Sequence, residues 1–237
     1  MLLEVNNIDV NIGAVQVLRD LSMNIDKDET VVLVGRNGAG KTSTIKSIIG
    51  LYPVKSGKIT FDGKDITGLP PHVRATRTGI GYSPEDSRVF PDLTVEENIK
   101  LGIWLSKHEK MSEKDMEETI FNIFPELKRI WNRRGLYCSG GEKKMVSIAR
   151  ALSLRPKLLL LDEAFEGLAP VVVERFIKAV NQIKQLGISI LIAESNVNIA
   201  AKVGERLYAI DRGEIIYAGD PMKIFQDQTL LNTIRGY

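Results

Sequence analysis

The stretch Val31–Thr44, VVLVGRNGAGKTST, decides the fold of this chain. Within it, Gly35–Thr42 matches the pattern G-x-x-x-x-G-K-[ST] without a gap. The apolar run before the pattern predicts a strand buried on both faces, and the stretch after Lys41 predicts a helix that ends near Gly50. A strand, a glycine-rich loop and a helix in this order are the context that a phosphate-binding loop requires.

The glycine-rich loop is suited to holding a phosphate chain. Gly38 and Gly40 lack a Cβ, so the backbone can turn its N–H groups toward an anion, and the positive end of the helix dipole adds to the attraction. In this motif the lysine reaches the β- and γ-phosphates, the threonine hydroxyl binds Mg²⁺ and the next serine supports the α-phosphate. A turn that only joins strand to helix would leave the lysine and the hydroxyl unexplained. The predicted contacts with nucleotide and Mg²⁺ are Gly35, Arg36, Asn37, Gly38, Ala39, Gly40, Lys41, Thr42 and Ser43.

Composition and charge narrow the class of protein. With 237 residues, of which 43% are hydrophobic, the chain can bury one substantial core. The net charge of +2 is small, whereas a dedicated nucleic-acid-binding protein has a strongly positive charge, so no nucleic-acid partner is expected. The single cysteine suits a reducing compartment, and no apolar run approaches the roughly 20 residues that span a bilayer. His72 and His108 lack partners at metal-ligand spacing and are expected at the surface.

A second candidate site follows the apolar run Leu158–Leu161. Such a run is typical of a central parallel strand, which places Asp162 and Glu163 at its carboxyl end, where open α/β sheets bind ligands. Asp162 is the expected holder of the magnesium ion, and Glu163 is positioned to polarise a water molecule in line with the γ-phosphate. An apolar run that ends in two acids also occurs for purely structural reasons, but the phosphate-binding loop favours the functional interpretation.

The third element, Ser139–Glu142, precedes a segment with apolar residues at helical spacing. Ser139 is suited to cap that helix, and Gly140 and Gly141 expose the N–H groups at its start. Ser139 and Glu142 also have the spacing of a capping box, so a purely structural interpretation stays open.

Together these three motifs resemble those of the ATP-binding subunits of ATP-binding cassette (ABC) transporters, over nearly the whole chain. The resemblance implies ATP as ligand, a Walker A motif at Gly35–Thr42, a Walker B motif at Leu158–Asp162 with Glu163 as catalytic base, and a signature at Cys138–Glu142. In that family the signature faces a nucleotide held by a second subunit. The residues that would complete a partner's ATP site are therefore Ser139, Gly140, Gly141 and Glu142.

A longer segment, GYSPEDSRVFPDLTVEENI at positions 81–99, is similar to branched-chain amino acid importer ATPases of the LivF type. Pro84-Glu85 stands where most ABC ATPases have glutamine, and Gly167–Pro170 matches a turn that follows Walker B. This similarity implies that Glu85 contacts nucleotide and metal. It also implies three partners, namely a second ATPase subunit, membrane permeases and a solute-binding protein, and places the chain on the cytoplasmic face of the membrane. Urea or another amide remains an alternative substrate.

The same resemblance assigns the segment Glu85–Trp104 to contact with a membrane subunit. Its apolar residues suit a partner groove, although local packing would explain them equally well. These residues are Val89, Phe90, Leu93 and Val95.

Three positions depart from the family pattern. Ile12 stands where the family usually has an aromatic side chain that stacks on adenine. Isoleucine can give adenine an apolar contact but no aromatic stacking. Glu166 adds a charge beside the turn toward the partner, and Ser195 occupies a catalytic switch position that usually carries histidine or glutamine. Because serine is short, we expect Ser195 to need a water molecule to reach the γ-phosphate. Because Glu163 is present, we expect slow but real hydrolysis.

The expected fold class is α/β, with a P-loop NTPase core of mostly parallel sheet flanked by helices, an antiparallel β subdomain and an inserted α-helical subdomain. Alternating residues in Leu3–Asp26 and Gly57–Asp62 predict the antiparallel sheet. Lys107–Arg134 predicts two helices broken at Pro125. We expect a single ABC ATPase domain over 1–237, with the core and β subdomain in 1–84 and 156–237 and the helical subdomain in 85–155.

Two other functions stay open at this point. Soluble ABC ATPases of DNA repair or translation usually have a long coiled-coil insertion, tandem cassettes or a basic linker, none of which this sequence contains. A weakly hydrolytic regulatory subunit of a heteromeric pair is favoured by Ile12, Glu166 and Ser195.

Overall fold

The computed structural model describes residues 1–106 and 112–236 and contains two β-sheets. The strands are β1 (Leu3–Ile12), β2 (Val15–Ile25), β3 (Thr30–Val34), β4 (Val54–Phe61), β5 (Lys64–Asp65), β6 (Ile80–Ser83), β7 (Leu158–Asp162), β8 (Ser189–Glu194), β9 (Arg206–Asp211) and β10 (Glu214–Gly219). The helices are α1 (Lys41–Ile49), α2 (Pro71–Val73), α3 (Val95–Leu105), α4 (Glu113–Ile123), α5 (Gly140–Leu152), α6 (Pro170–Gln185), α7 (Val197–Val203) and α8 (Gln228–Arg235). A π-helical turn covers Arg74–Thr78, and 3₁₀ turns cover Pro125–Ile130, Gly135–Tyr137 and Pro221–Gln226.

The six-stranded sheet carries the chemistry of the molecule at one edge. Its order is β10-β9-β3-β8-β7-β6, and all of its strands are parallel except β10. Every residue of β3, β7 and β8 is buried, as their apolar runs predict. In the parallel register Val34 pairs with Glu194, and Asp162 pairs with Ala193. The ends of β3, β7 and β8 therefore bring the glycine-rich loop and the buried acids together.

Alternate side chains of the central strands enter two hydrophobic cores, as the two-residue period of a strand requires. Val31 packs with α1 and the four-stranded sheet, whereas Val32 packs with the helices on the opposite face. The four-stranded sheet is antiparallel in the order β2-β1-β4-β5, which confirms the antiparallel prediction. The α/β core, the antiparallel part and the helices α3, α4 and α5 confirm the expected fold class. The residue boundaries of the parts stay a prediction.

Two local predictions were wrong. The stretch after Pro125 forms a 3₁₀ turn instead of a second α-helix. 3₁₀ turns are frequent as short connectors, and this one buries Leu127 and Ile130. Val95, grouped above with a possible partner groove, is fully buried in the first turn of α3. His72 is exposed as expected, whereas His108 and the other residues of 107–111 lie outside the described part of the chain.

Candidate functional site

The loop between β3 and α1 has the backbone that its glycines predict. Gly38 and Gly40 have φ values of 80° and 117°, which L side chains rarely adopt. A Cβ on Gly40 would also come within 3.0 Å of Leu18 and 3.3 Å of the Gly213 backbone. Because α1 begins at Lys41, its free N–H groups and the positive end of its dipole face this loop.

A cavity of about 660 Å³ opens beside the loop. Its volume falls in the range that small-molecule sites occupy. Its wall combines the loop and the start of α1 with residues of β2, several carboxylates and one residue of the β9–β10 turn. The lining residues are Val15, Gln16, Val17, Arg19, Asn37, Gly38, Gly40, Lys41, Thr42, Ser43, Glu85, Glu163, Glu166 and Arg212.

Lys41 is buried in the wall of the cavity and its ammonium group has three oxygen partners. Nζ donates to the carbonyl oxygens of Gly35, at 2.8 Å, and Arg36, at 3.2 Å. It also lies 3.0 Å from Oε1 of Glu163, in an ion pair whose side chains are only 4% and 7% exposed. Because water does not screen a pair this deeply buried, its attraction exceeds that of a surface pair. A phosphate entering the cavity has to compete with Glu163 for the ammonium group.

Thr42 and Asp162 meet, as the predicted metal site requires. The Thr42 hydroxyl donates to Oδ1 of Asp162 at 3.0 Å, while Oδ2 is buried without a hydrogen-bond partner. Burial raises the pKa of Asp162 to about 6, so an adjacent cation would favour its ionised form. Within residues 1–106 and 112–236, no group of three or more His, Cys, Asp or Glu side chains is arranged to hold a metal. The pair fits Mg²⁺, which uses few protein oxygens and fills its shell with phosphate and water.

The Glu163 carboxylate is contacted by Ser195 as well as Lys41. Oγ of Ser195 lies 2.7 Å from Oε1 of Glu163 and 3.0 Å from Oδ1 of Asn37, and its single proton can serve one of them at a time. Oε2 of Glu163 is buried without a partner and is free to accept a hydrogen bond. Ser195 was expected to reach the γ-phosphate only through a water molecule, and the structure places its hydroxyl against the carboxylate of the candidate base.

Glu194 is a buried carboxylate that the sequence analysis missed. Its Oε1 accepts the N–H groups of Ser195 and Asn196, both at 2.8 Å, whereas Oε2 is buried without a partner. Burial raises the pKa of Glu194 to about 7, and the negative charge of Glu163 acts in the same direction. The signal was present in the sequence, because the run ILIAE ends in an acid in the same way as LLLLD.

The signature residues cap α5 and stay outside the cavity of their own chain. The Ser139 side chain accepts the N–H of Glu142 at 3.3 Å, and the Ser139 N–H donates to the Glu142 carboxylate at 2.7 Å, which confirms the capping box. Glu142 also pairs with Arg133 at 3.1 Å. None of the positions Ser139–Glu142 lines the nucleotide cavity of the described chain.

Besides the signature residues, four predicted nucleotide contacts do not line the cavity in the described part of the chain, whereas Val15 and Val17 do. They are Ile12, Gly35, Arg36 and Ala39. Ile12 pairs with Val15 across the hairpin, and Arg36 pairs with Asp211 at 2.9 Å. The sequence analysis missed Arg19 and Arg212 because neither belongs to a local nucleotide-binding motif.

The fold and the site define a P-loop nucleotide-binding protein. Residues 18–166 match the family model of the ABC transporter, and this chain belongs to the ABC transporter family. It is an ATP-binding subunit and an ATPase that hydrolyses ATP to drive transport. In the parts of the chain that the structure describes, no helix is both long and apolar enough to cross a membrane.

Two curated relatives and one solved structure illustrate the match. BraG of Pseudomonas aeruginosa, a high-affinity branched-chain amino acid transport ATP-binding protein, is 35% identical and aligns with 91% of this chain and 91% of its own. LptB of Haemophilus influenzae, a lipopolysaccharide export system ATP-binding protein, is 37% identical and aligns with 93% of this chain and 91% of its own. The ADP conformation of MJ1267, an ATP-binding cassette of an ABC transporter, has a TM-score of 0.83 and 28% identity over 100% of this chain and 99% of that chain.

The substitution Glu194→Gln tests the burial of the carboxylate beside Ser195. Burial raises the pKa of Glu194 to about 7 in the folded protein, against 4.5 for an ordinary glutamate. Between these pH values the folded state keeps a proton that the unfolded state has released, so the free energy of unfolding falls as the pH rises. Glutamine keeps both backbone contacts and cannot ionise. We expect E194Q to be more stable than wild type by about 1–3 kcal/mol near pH 8, and to match it below about pH 5.

Urea unfolding of the nucleotide-free protein across this pH range measures the difference. Glu174→Gln is the control, because Glu174 is an exposed carboxylate in a surface ion pair with Lys202. Parallel stability curves for wild type and E194Q would contradict a raised pKa at this site.

Proposed function

We propose that this chain is the ATP-hydrolysing subunit of an importer of branched-chain or other amino acids. The observation that carries the proposal is the similarity to BraG over 91% of both chains. Pro84-Glu85 and the turn Gly167–Pro170, which resemble LivF-type importers, support it. The similarity to LptB, at 37% identity, favours lipopolysaccharide export as a second candidate.

The residues that line the cavity support a role for the loop, Lys41 and Glu163. The N–H groups of the glycine-rich loop and of the start of α1 bind the phosphate chain, and Lys41 exchanges its partner Glu163 for the β- and γ-phosphates. Glu163 is then held through Ser195 and accepts the proton of the attacking water. Ser195 therefore acts on the base instead of on the phosphate.

Thr42, Asp162 and Glu85 are the proposed magnesium-binding residues. Thr42 and Glu85 share the cavity wall, and Asp162 offers a buried oxygen without a partner beside them. Mg²⁺, when bound there, would supply positive charge that neutralises the phosphates.

We further propose that two chains combine head to tail to complete each ATP site. ABC cassettes dimerise and associate with the membrane subunits of transporters. In this chain Ser139 and Gly140 are exposed and lie outside their own cavity, as a contact with a partner's nucleotide requires. The proposed location of the dimer is the cytoplasmic face of the membrane, where permeases bind it and a solute-binding protein delivers the substrate from the other side.

An apolar groove of about 580 Å³ is the proposed contact with the permease. Val89 and Phe90 from the segment predicted to meet a membrane subunit line it, together with Leu101 and Leu105 of α3. Phe90 and Leu105 are more than half exposed, so a partner helix could bury them.

The substitution Glu163→Gln tests the proposed base. Glutamine cannot accept the proton of the attacking water, so we expect turnover to fall on the order of 10²–10⁴-fold. ATP binding should persist, because the loss of the buried ion pair frees Lys41 for the phosphates. Phosphate release measures turnover, and ATP titration measures affinity. Gel filtration with ATP detects a trapped dimer.

Glu174→Gln is the control here too, because Glu174 is an exposed carboxylate in a surface ion pair with Lys202. It should leave turnover within about a factor of three, as expected for a surface change away from the reacting atoms. Normal turnover in E163Q would remove the base assignment. A wild-type protein that binds ATP without releasing phosphate, alone and in its complex, would favour the regulatory-subunit alternative.

Mixing two inactive variants tests the shared site. Lys41→Ala removes the phosphate contact, and Gly141→Asp places a charge in the signature, where a Cβ would meet only Leu168, at 3.8 Å. In a head-to-tail dimer of one K41A chain and one G141D chain, one of the two sites is intact. That site combines the loop of the G141D chain with the signature of the K41A chain. We therefore expect mixing to restore ATPase activity, up to roughly a quarter of wild type for random pairing and independent sites.

Each variant alone, at the same total concentration, is the control and should stay inactive. If G141D alone hydrolyses ATP at the wild-type rate, or if mixing restores nothing although mixed dimers form, the shared site is wrong.

Isolation of the tagged chain with its native membrane partners tests the substrate class. We expect permeases and a solute-binding protein that binds a branched-chain amino acid, measured by mass spectrometry and by ligand titration of the binding protein. Recovery of lipopolysaccharide-binding partners would establish the second candidate. Recovery of ribosomes or DNA without membrane proteins would establish a soluble ATPase.

A further inference from the structure

Lys144 connects the signature helix to the loop that carries Glu163. It lies in the second turn of α5, and its Nζ donates a hydrogen bond of 2.6 Å to the backbone carbonyl oxygen of Glu163. A charged donor makes this bond stronger than one between neutral groups. The side chain is half-buried, so the contact is part of the packed interface between α5 and the end of β7.

The backbone of Glu163 needs such support. Its φ is 48°, in the left-handed region that non-glycine residues adopt only when their surroundings hold them there. The Glu163 N–H donates to the Ala193 carbonyl at 3.0 Å, and the Glu163 carbonyl accepts the Glu166 N–H at 3.2 Å in addition to Lys144. Lys144 is thus the side chain that fixes a strained residue whose carboxylate must be aimed into the cavity.

The charges around Lys144 explain why a lysine is stable there. Burial lowers the pKa of its ammonium group, whereas the nearby carboxylates of Glu166, Glu194, Glu163 and Glu85 act in the opposite direction. The positive charge offsets part of the repulsion among these acids.

We propose that Lys144 is a positioning residue that keeps the Glu163 carboxylate aimed at the attacking water while ATP is bound. The inference rests on the proposed role of Glu163 as base. In the structure the carboxylate is held from its side-chain end by Lys41 at 3.0 Å. Once Lys41 turns to the phosphates that restraint is lost, and the backbone bond from Lys144 takes a larger share in orienting the base. Lys144 therefore acts on turnover more than on ATP binding.

Steady-state ATPase kinetics of full-length variants test the proposal. We expect Lys144→Gln to lower kcat on the order of ten-fold, since small displacements of a reacting group cost this much, while KM changes by less than about two-fold. Lys144→Arg keeps the charged donor and should recover most of kcat. Lys143→Gln is the matched control, because it removes the same charge from the neighbouring position of α5. Wild-type kcat in K144Q would overturn the proposal.

A double-variant cycle separates positioning from general stability. If Lys144 acts through Glu163, K144Q should have no further effect on the residual turnover of E163Q. A ten-fold loss that persists in the E163Q background would overturn the proposal. A loss caused by lower fold stability occurs with either residue at position 163, whereas a loss caused by a misplaced Glu163 carboxylate does not. If the proposed function is wrong, the result differs, because E163Q itself then turns over normally. If E163Q is inactive and K144Q is normal, only the role of Lys144 is wrong.

Discussion

The buried ion pair between Lys41 and Glu163 is the interaction on which the rest of the site depends. It exists because β3 and β7 are parallel members of one sheet and deliver the glycine-rich loop and the Walker B acids to the same edge. In this ion pair each charge is balanced by the other, so two ionised groups can stay buried. The phosphates of ATP offer Lys41 a second anionic partner, and this exchange links nucleotide binding to the freedom of the base.

Several further polar contacts hold Glu163 in place, through both its carboxylate and its backbone. Ser195 contacts its carboxylate, Lys144 and Ala193 contact its backbone, and Glu194 holds the N–H of Ser195. These contacts come from α5, on one side of Glu163 in the sequence, and from β8 with the residue that follows it, on the other side. Ser195 at the switch position is short, and its hydroxyl contacts Glu163. This arrangement is consistent with a switch residue that orients the base more than the phosphate.

Sequence reasoning succeeded where the physical signal is local. The glycine-rich loop, the helix that ends at Gly50 and the capping box of Ser139 depend on residues a few positions apart, and each has the predicted form. It failed where a local rule competed with packing. Proline ended α4 as expected, but the segment after it packs Leu127 and Ile130 into the core from a short 3₁₀ connector instead of a second helix. Val95 looked like part of an exposed linker because its burial depends on how α3 packs against the core.

The sequence alone determined that this chain has a phosphate-binding loop, a strand ending in two acids and a capped signature helix, because each is specified by the chemistry of neighbouring residues. Only the tertiary structure decided which of these groups meet. It placed Ser195 on Glu163, removed Ile12 and Arg36 from the cavity wall and added Val15, Arg19 and Arg212 to it. The physical reason is that strand pairing and helix packing join residues that are far apart along the chain, and no local pattern records those distances.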